Sequence, residues 1–163
     1  MSNIFDFDVL RKVYFASFQS VMSYGLIIWG GTTSQNFNRI FLIQKRAIRI
    51  ISKKLPTEHC KILFQTSKIM TLPSLYIYEI CKFFKNNESN FQNNPTQYKT
   101  RQNFINIPSH RTSKFEKSTF YMTTKIINKI LKTNKELISK QNFLRIISDI
   151  LVTKAYYSLN EFF

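Results

Sequence analysis

Few side chains in this sequence are of a kind, and at a spacing, that could make or break a covalent bond. The nearest approach to a metal clamp is Asp6-Phe7-Asp8, where two carboxylates one residue apart could share Mg²⁺ for phosphoryl chemistry. The other carboxylates, from Glu58 to Glu161, are scattered, and none offers a third ligand in a comparable context. At the front edge of a helix the pair reads instead as a cap that also complements the helix dipole. His59-Cys60 places a base next to a thiol, but neighbours on a helix project about 100° apart, which disfavours mutual activation. His110 has no nucleophile in a local motif, and Gly30-Gly31 is a turn, not part of a phosphate-binding glycine loop. Cys60 and Cys81 lie in apolar or helical contexts without a second pair, so buried free thiols are expected. The expectation is a chain with no catalytic residue, no metal, no cofactor and no small-molecule substrate.

Positive charge is what the sequence does supply. Twenty-four Lys and Arg stand against 9 Asp and Glu, a formal net charge of +15, and such an excess attracts polyanions. AT-rich coding inflates lysine, so the arginines carry more information. Arg39, Arg46 and Arg49 recur at i, i+7 and i+10 with Lys45 and Lys53 beside them, a helix side that could follow a phosphate backbone. The plain alternative is a solvated helix face. With Arg101 and Arg111 from a polar stretch downstream, these residues form the candidate contacts to RNA or DNA.

Elements that would position them are helical. Only 3 Gly and 4 Pro are present, too few for the tight turns of a sandwich or barrel, while 16 Phe and 8 Tyr can build a core. The spacing predicts an all-α fold, a small irregular bundle of about five or six helices with a long polar loop. The first helix begins near Asp6, has its body over Val9–Ile28, puts Val9, Val13, Phe15, Phe18, Val21, Met22 and Gly25 on one apolar side, and stops at Gly30-Gly31. Ser34 is the expected cap of the second, to about Lys54, with Phe37, Ile40, Phe41, Ala47, Ile48 and Ile51 on one side and the basic residues opposite. A short third helix opens at Thr57, and Leu72-Pro73-Ser74 starts a fourth with Leu75, Tyr78, Cys81 and Phe84 in register. After a stretch dominated by Asn, Gln, Ser, Thr and Pro, helical spacing resumes over Thr119–Lys132 and Ser139–Leu159, the last with Ser139 as its cap. The expected organisation is an N-terminal helical module over 1–85, a polar linker or loop over 86–113 and C-terminal helices over 114–163. Met1–Asp8 is acidic and Leu26–Trp29 far too short to cross a bilayer, so an intracellular protein, cytoplasmic or nuclear, with no membrane partner is expected.

One ordered set of motifs is more specific. Tyr24-Gly25-Leu26-Ile27-Ile28-Trp29-Gly30, followed a dozen residues later by Leu42-Ile43-Gln44-Lys45-Arg46-Ala47-Ile48-Arg49-Ile50-Ile51, closely resembles the region after the polymerase core of reverse transcriptases from jockey-like non-LTR retrotransposons. There a helix ends in a YG-x-x-x-WG turn and a QKRA-x-R-I helix follows. Tyr98-Lys99-Thr100-Arg101 looks like that family's Y-x-TR element, Pro108–Thr112 like its P-x-x-RT element, and Phe143-Leu144-Arg145 like its final FK helix. The resemblance runs from about Leu10 to Leu159 and is weakest near 120–132, where Leu131 stands in place of a proline. It implies a lineage of RNA-directed DNA polymerases in which Tyr24, Gly25, Trp29, Gly30, Gln44 and Ala47 are structural. The family's catalytic aspartates lie upstream, in a palm turn ending in Asp-Asp, and no Asp-Asp pair occurs in this sequence. The resemblance therefore implies a catalytically incomplete fragment, with the missing polymerase core as a second partner. An inert or structural helical interaction module, with no nucleic-acid role, is the other reading.

Overall fold

In the computed structural model, which describes residues 6–31, 34–92, 105–134 and 136–163, every regular element is a helix. Among these residues there is no strand, and the all-α class expected from the scarcity of Gly and Pro holds.

Helix α1, residues 7–23, starts where Asp6 Oδ1 accepts a 2.7 Å hydrogen bond from the Phe7 N–H, the capping role expected of that carboxylate. It runs through Phe7–Val13, a wider π segment Tyr14–Gln19, and Ser20–Ser23. Its buried side chains are Tyr14 and Met22, with Leu10 and Phe18 half-buried, whereas Val9, Val13 and Val21 are exposed. That corrects the expected inner face at the three valines, while Phe15, Phe18 and Met22 pack toward the core as expected. Positions 10, 14, 18 and 22 recur every four residues, and in a 3.6-residue helix such a row drifts about 40° per step. The π segment holds more residues per turn and absorbs the drift. The helix also stops earlier than expected, because Gly25 takes a left-handed conformation, φ +60, that few other residues tolerate. A short helix α2, Leu26–Trp29, follows the break.

Helix α3, Ser34–Ile51, buries Phe37, Phe41, Gln44, Ile48 and Ile51, with Ile40 and Ala47 half-buried at the margins. Ser34 is its first helical residue rather than its cap. Its last turn closes with Lys54 N–H donating to Arg49 O and Lys53 N–H to Ile50 O, a Schellman arrangement that puts Lys53 in the left-handed region at φ 54. Helix α4, Cys60–Thr66, begins beyond the expected start at Thr57 and ends the same way, with Lys68 at φ 52.

Helix α5, Leu72–Asn86, is the centre of the bundle. Thr71 Oγ1 accepts from Ser74 N–H at 3.3 Å, and Pro73 occupies the first turn, where its missing N–H costs nothing. Leu72, Leu75, Tyr76, Ile77, Ile80, Cys81 and Phe84 are all buried because α2, α3, α8 and α9 cover it on different sides. In the stretch read as polar linker, a helix α6, Glu88–Gln92, forms around Phe91, whose ring stacks on Phe120 at 4.8 Å and lies 5.3 Å from Phe84. Helix α7, Ser113–Glu116, precedes α8, Thr119–Thr133, which matches its expected span. Helix α9 covers only Phe143–Lys154: Asn142 holds the cap position, Ser139 Oγ donates to Glu136 O instead, and Ala155 ends the helix in the left-handed region. The count exceeds the expected number because α2, α6 and α7 are short helices in stretches read as turn or loop.

Residues before and after the polar stretch share one hydrophobic core, which includes Ile48, Ile77, Ile80, Ile126, Ile127 and Leu151. Cys60 and Cys81 are buried free thiols, as expected. No helix among the described residues is long and apolar enough to cross a membrane.

Candidate nucleic-acid interface

The motif residues set up the helix that carries the candidate site. Trp29 Nε1 donates a 2.9 Å hydrogen bond to Tyr24 O, closing the turn around Gly25, while the Tyr24 side chain itself is 86% exposed. Gly30 is buried against α5, and a Cβ there would sit 2.3 Å from Tyr76 Cδ2 and 2.5 Å from Leu26 O. The position therefore needs the smallest residue to let α2 approach α5. Gln44, fully buried, donates through Nε2 to Tyr14 Oη and to Met70 O, both at 2.9 Å, and accepts from Leu72 N–H at 2.7 Å. One amide thus ties α3 to α1 and to the first turn of α5, whose N–H groups lack intrahelical partners. Ala47 is half-buried against the core.

The basic residues divide into two kinds. Arg39 and Arg46 are exposed on the outer side of α3, seven residues or about 10 Å apart along the axis. Lys45 and Arg49, expected on the same open face, are half-buried. Lys45 Nζ lies 4.3 Å from the ring centres of both Phe41 and Tyr157, a double cation–π contact. Desolvation in this position, ahead of the opposing influence of Cys60 and the repulsion of Arg49, lowers its pKa. Arg49 Nε donates to Glu58 O at 2.9 Å. Lys53 lies in the turn beyond α3, so a helical projection does not apply to it, but its side chain is exposed. Arg111 stands apart, exposed in the segment before α7, and Arg101, with the whole Tyr98–Arg101 element, falls outside the described residues.

Arg46 and Arg49 are brought together with Lys54, which helical projection did not single out. With Ile50 and Pro56 they line a surface pocket of about 470 Å³. Lys54 Nζ also pairs with Glu58 Oε2 at 3.6 Å, so Glu58 holds two of the three cations in place. The geometry suits an anion with several oxygens, since guanidinium forks bind phosphate in two-point fashion and lysine adds a point charge. No family model, curated protein or solved structure matches the chain. The pocket's chemistry thus rests on its own side chains.

Sequence reasoning also missed what separates the arginines. Leu42, Ile43 and Ile50 are each more than half exposed on α3. A projection at about 100° per residue places all three within about 60° of Arg39, so the signal was available. His110, Phe115 and Tyr121 form a separate aromatic group, with Arg111 and Lys114 adjacent to it in sequence and His110 and Tyr121 ring centres 4.8 Å apart. Nothing local in the sequence pairs these rings.

Proposed function

We propose that this chain is a non-catalytic nucleic-acid-binding module, the region that follows the polymerase core in a non-LTR retrotransposon RNA-directed DNA polymerase. RNA or DNA is held through phosphate contacts from Arg39, Arg46, Arg49 and Lys54, with Lys53 at the edge. The observation that carries the reading is the convergence of Arg46, Arg49 and Lys54 on one open pocket in a chain of net charge +15. Ion pairs among the described residues, such as Lys54–Glu58, Lys82–Glu79 and Lys85–Glu88, join lysines to nearby glutamates and leave Arg39 and Arg46 on the surface. The lineage is supported by the resemblance of the ordered motifs and by the structural work that Gly25, Trp29, Gly30 and Gln44 perform in the fold. Nucleotide addition would rest with a palm bearing the aspartate pair, which these 163 residues do not include.

A series of Arg39→Ala, Arg46→Ala and Arg49→Ala variants tests the interface. Each lost phosphate contact should weaken binding to structured RNA and reduce the log–log salt slope by roughly 0.7 to 1. An unchanged slope across the series removes this surface from the proposal.

A second reading is favoured by Leu42, Ile43 and Ile50 on α3 and by Val21 on α1, Tyr24 in the turn after it and Ile28 on α2, all more than half exposed. These are apolar surfaces of the kind that cover a protein partner, such as a polymerase core. Binding of a hydrophobic dye and concentration-dependent association, without affinity for nucleic acid, would favour this reading over the first.

A further inference from the structure

We propose that the pocket at the end of α3 takes the terminal phosphorylated nucleotide of a nucleic-acid strand, with its phosphomonoester on Arg46, Arg49 and Lys54. The inference rests on the nucleic-acid reading and adds to it which part of the strand this site binds. A phosphate inside a strand is a diester with one negative charge. A phosphomonoester carries about −1.5 to −2 at pH 7 and offers three strong acceptor oxygens. The charge of the pocket matches the monoester. Three cations line it, and one carboxylate, that of Glu58, pairs with Lys54 at 3.6 Å, so two positive charges are left over.

The donors are also left free to meet several oxygens. Arg49 is tied to Glu58 through its Nε and the backbone carbonyl, which uses one donor and neutralises no charge. The terminal amino groups of that guanidinium and the exposed fork of Arg46 suit two-point contacts, and Lys54 adds a point charge. The end of a helix ordinarily opposes an anion, because its last carbonyls and the negative end of its dipole are there. At α3 the carbonyls of Arg49 and Ile50 already accept from Lys54 N–H at 2.9 Å and Lys53 N–H at 3.1 Å. The turn that satisfies them is the one that brings Lys54 to the pocket.

The shape fits more than a phosphate. At about 470 Å³ the pocket is in the size range of sites that hold a whole small molecule, so a sugar can follow the phosphate in. Ile50, 71% exposed, and the exposed Pro56 give it an apolar side, against which a sugar and base can pack. Arg39, about 10 Å from Arg46 along the helix axis, and Lys53 are exposed outside the pocket, where they can meet the phosphates that come next in the strand.

The test uses the full chain and one single-stranded RNA oligonucleotide in three forms: phosphorylated at the 5′ end, phosphorylated at the 3′ end, and hydroxyl at both ends. A phosphorylated form should bind roughly five- to thirtyfold more tightly than the hydroxyl form. Arg46→Ala and Lys54→Met should each remove that preference. Both side chains are exposed, so the fold tolerates their loss. Arg39→Ala, outside the pocket, should weaken all three forms and leave their ratio unchanged. Inorganic phosphate should displace the phosphorylated strand only at concentrations far above that of the strand, and a phosphoserine peptide that binds as tightly as the strand overturns the assignment to a nucleic-acid end. Equal affinity for the three forms, or a preference that survives both pocket variants, overturns the terminal-phosphate site, while a steep salt dependence leaves the nucleic-acid reading standing. A parent chain that binds none of the forms at low salt overturns both.

Discussion

Replacing Gln44 by Leu tests how the basic helix is held in place. The change keeps the volume and removes an amide that makes three hydrogen bonds: to Tyr14 Oη and Met70 O from Nε2, and from Leu72 N–H to Oε1. Each such bond contributes about 0.5 to 1.5 kcal/mol net, and a buried group left without a partner costs about 1 to 3 kcal/mol. Leu72 N–H lies at the first position of α5, where no carbonyl of its own helix can replace Gln44, and Leu72 is fully buried. Met70 is half-buried, so its carbonyl can recover part of its loss from water. Some compensation also comes from burying apolar atoms in place of an amide. The balance is a loss of about 2 to 4 kcal/mol. Urea unfolding followed by helical circular dichroism should show a lower midpoint with an unchanged slope, since the same surface is exposed on unfolding. A double-mutant cycle with Tyr14→Phe should give a coupling of about 0.5 to 1.5 kcal/mol. A Gln44→Leu protein within 0.5 kcal/mol of the parent, a margin of about the size expected for surface changes, would refute the claim that this amide joins three segments.

Three further outcomes follow from the same structure. Gly30→Ala should destabilise by about 1 to 3 kcal/mol, because its Cβ would sit 2.3 Å from the Tyr76 ring and 2.5 Å from a helix carbonyl; calorimetry should record a lower Tm. Tyr76→Phe should stabilise by about 1 kcal/mol, raising Tm by roughly 2 to 4 °C, since the buried Tyr76 hydroxyl has no hydrogen-bond partner among the described residues. Burial pushes the Tyr14 and Tyr76 phenols up to about 12, so the folded state holds these protons more tightly than the unfolded chain. Their contribution is complete below about pH 10 and is lost as pH rises through about 12, a decline in urea midpoint that Tyr14→Phe should lessen. Lys45, with its lowered pKa, acts in the opposite sense over the alkaline range and partly masks the effect.

Much of the fold was legible where one physical cause dominates. The three- and four-residue spacing of α3, α5 and α8 marks helices with a covered side, and Asp6 caps α1 as its position suggests. On α1 the spacing placed Phe15, Phe18 and Met22 correctly but not Val9, Val13 and Val21, because a π segment over Tyr14–Gln19 changes the helical register and Tyr14 meets Gln44, thirty residues away in the chain. Helix α6 was hidden by its polar neighbours, since Phe91 alone gains enough from Phe84 and Phe120 to order it. In the candidate site Arg39 and Arg46 lie where the periodicity put them. Lys45 does not, because the ring that draws it inward, Tyr157, arrives from the far end of the sequence. Lys54 escaped notice because the Schellman turn, not helical projection, decides where it points. The exposed Leu42, Ile43 and Ile50 could have been found by the same projection that found the arginines.

Affinity of the intact chain for single-stranded RNA, measured across a salt series, bears most directly on the proposed role. With about four phosphates neutralised beside α3, log Kd should rise against log salt with a slope of roughly 3. A slope near zero, or no binding at low salt, would contradict it and leave the apolar surfaces as the working part of the molecule.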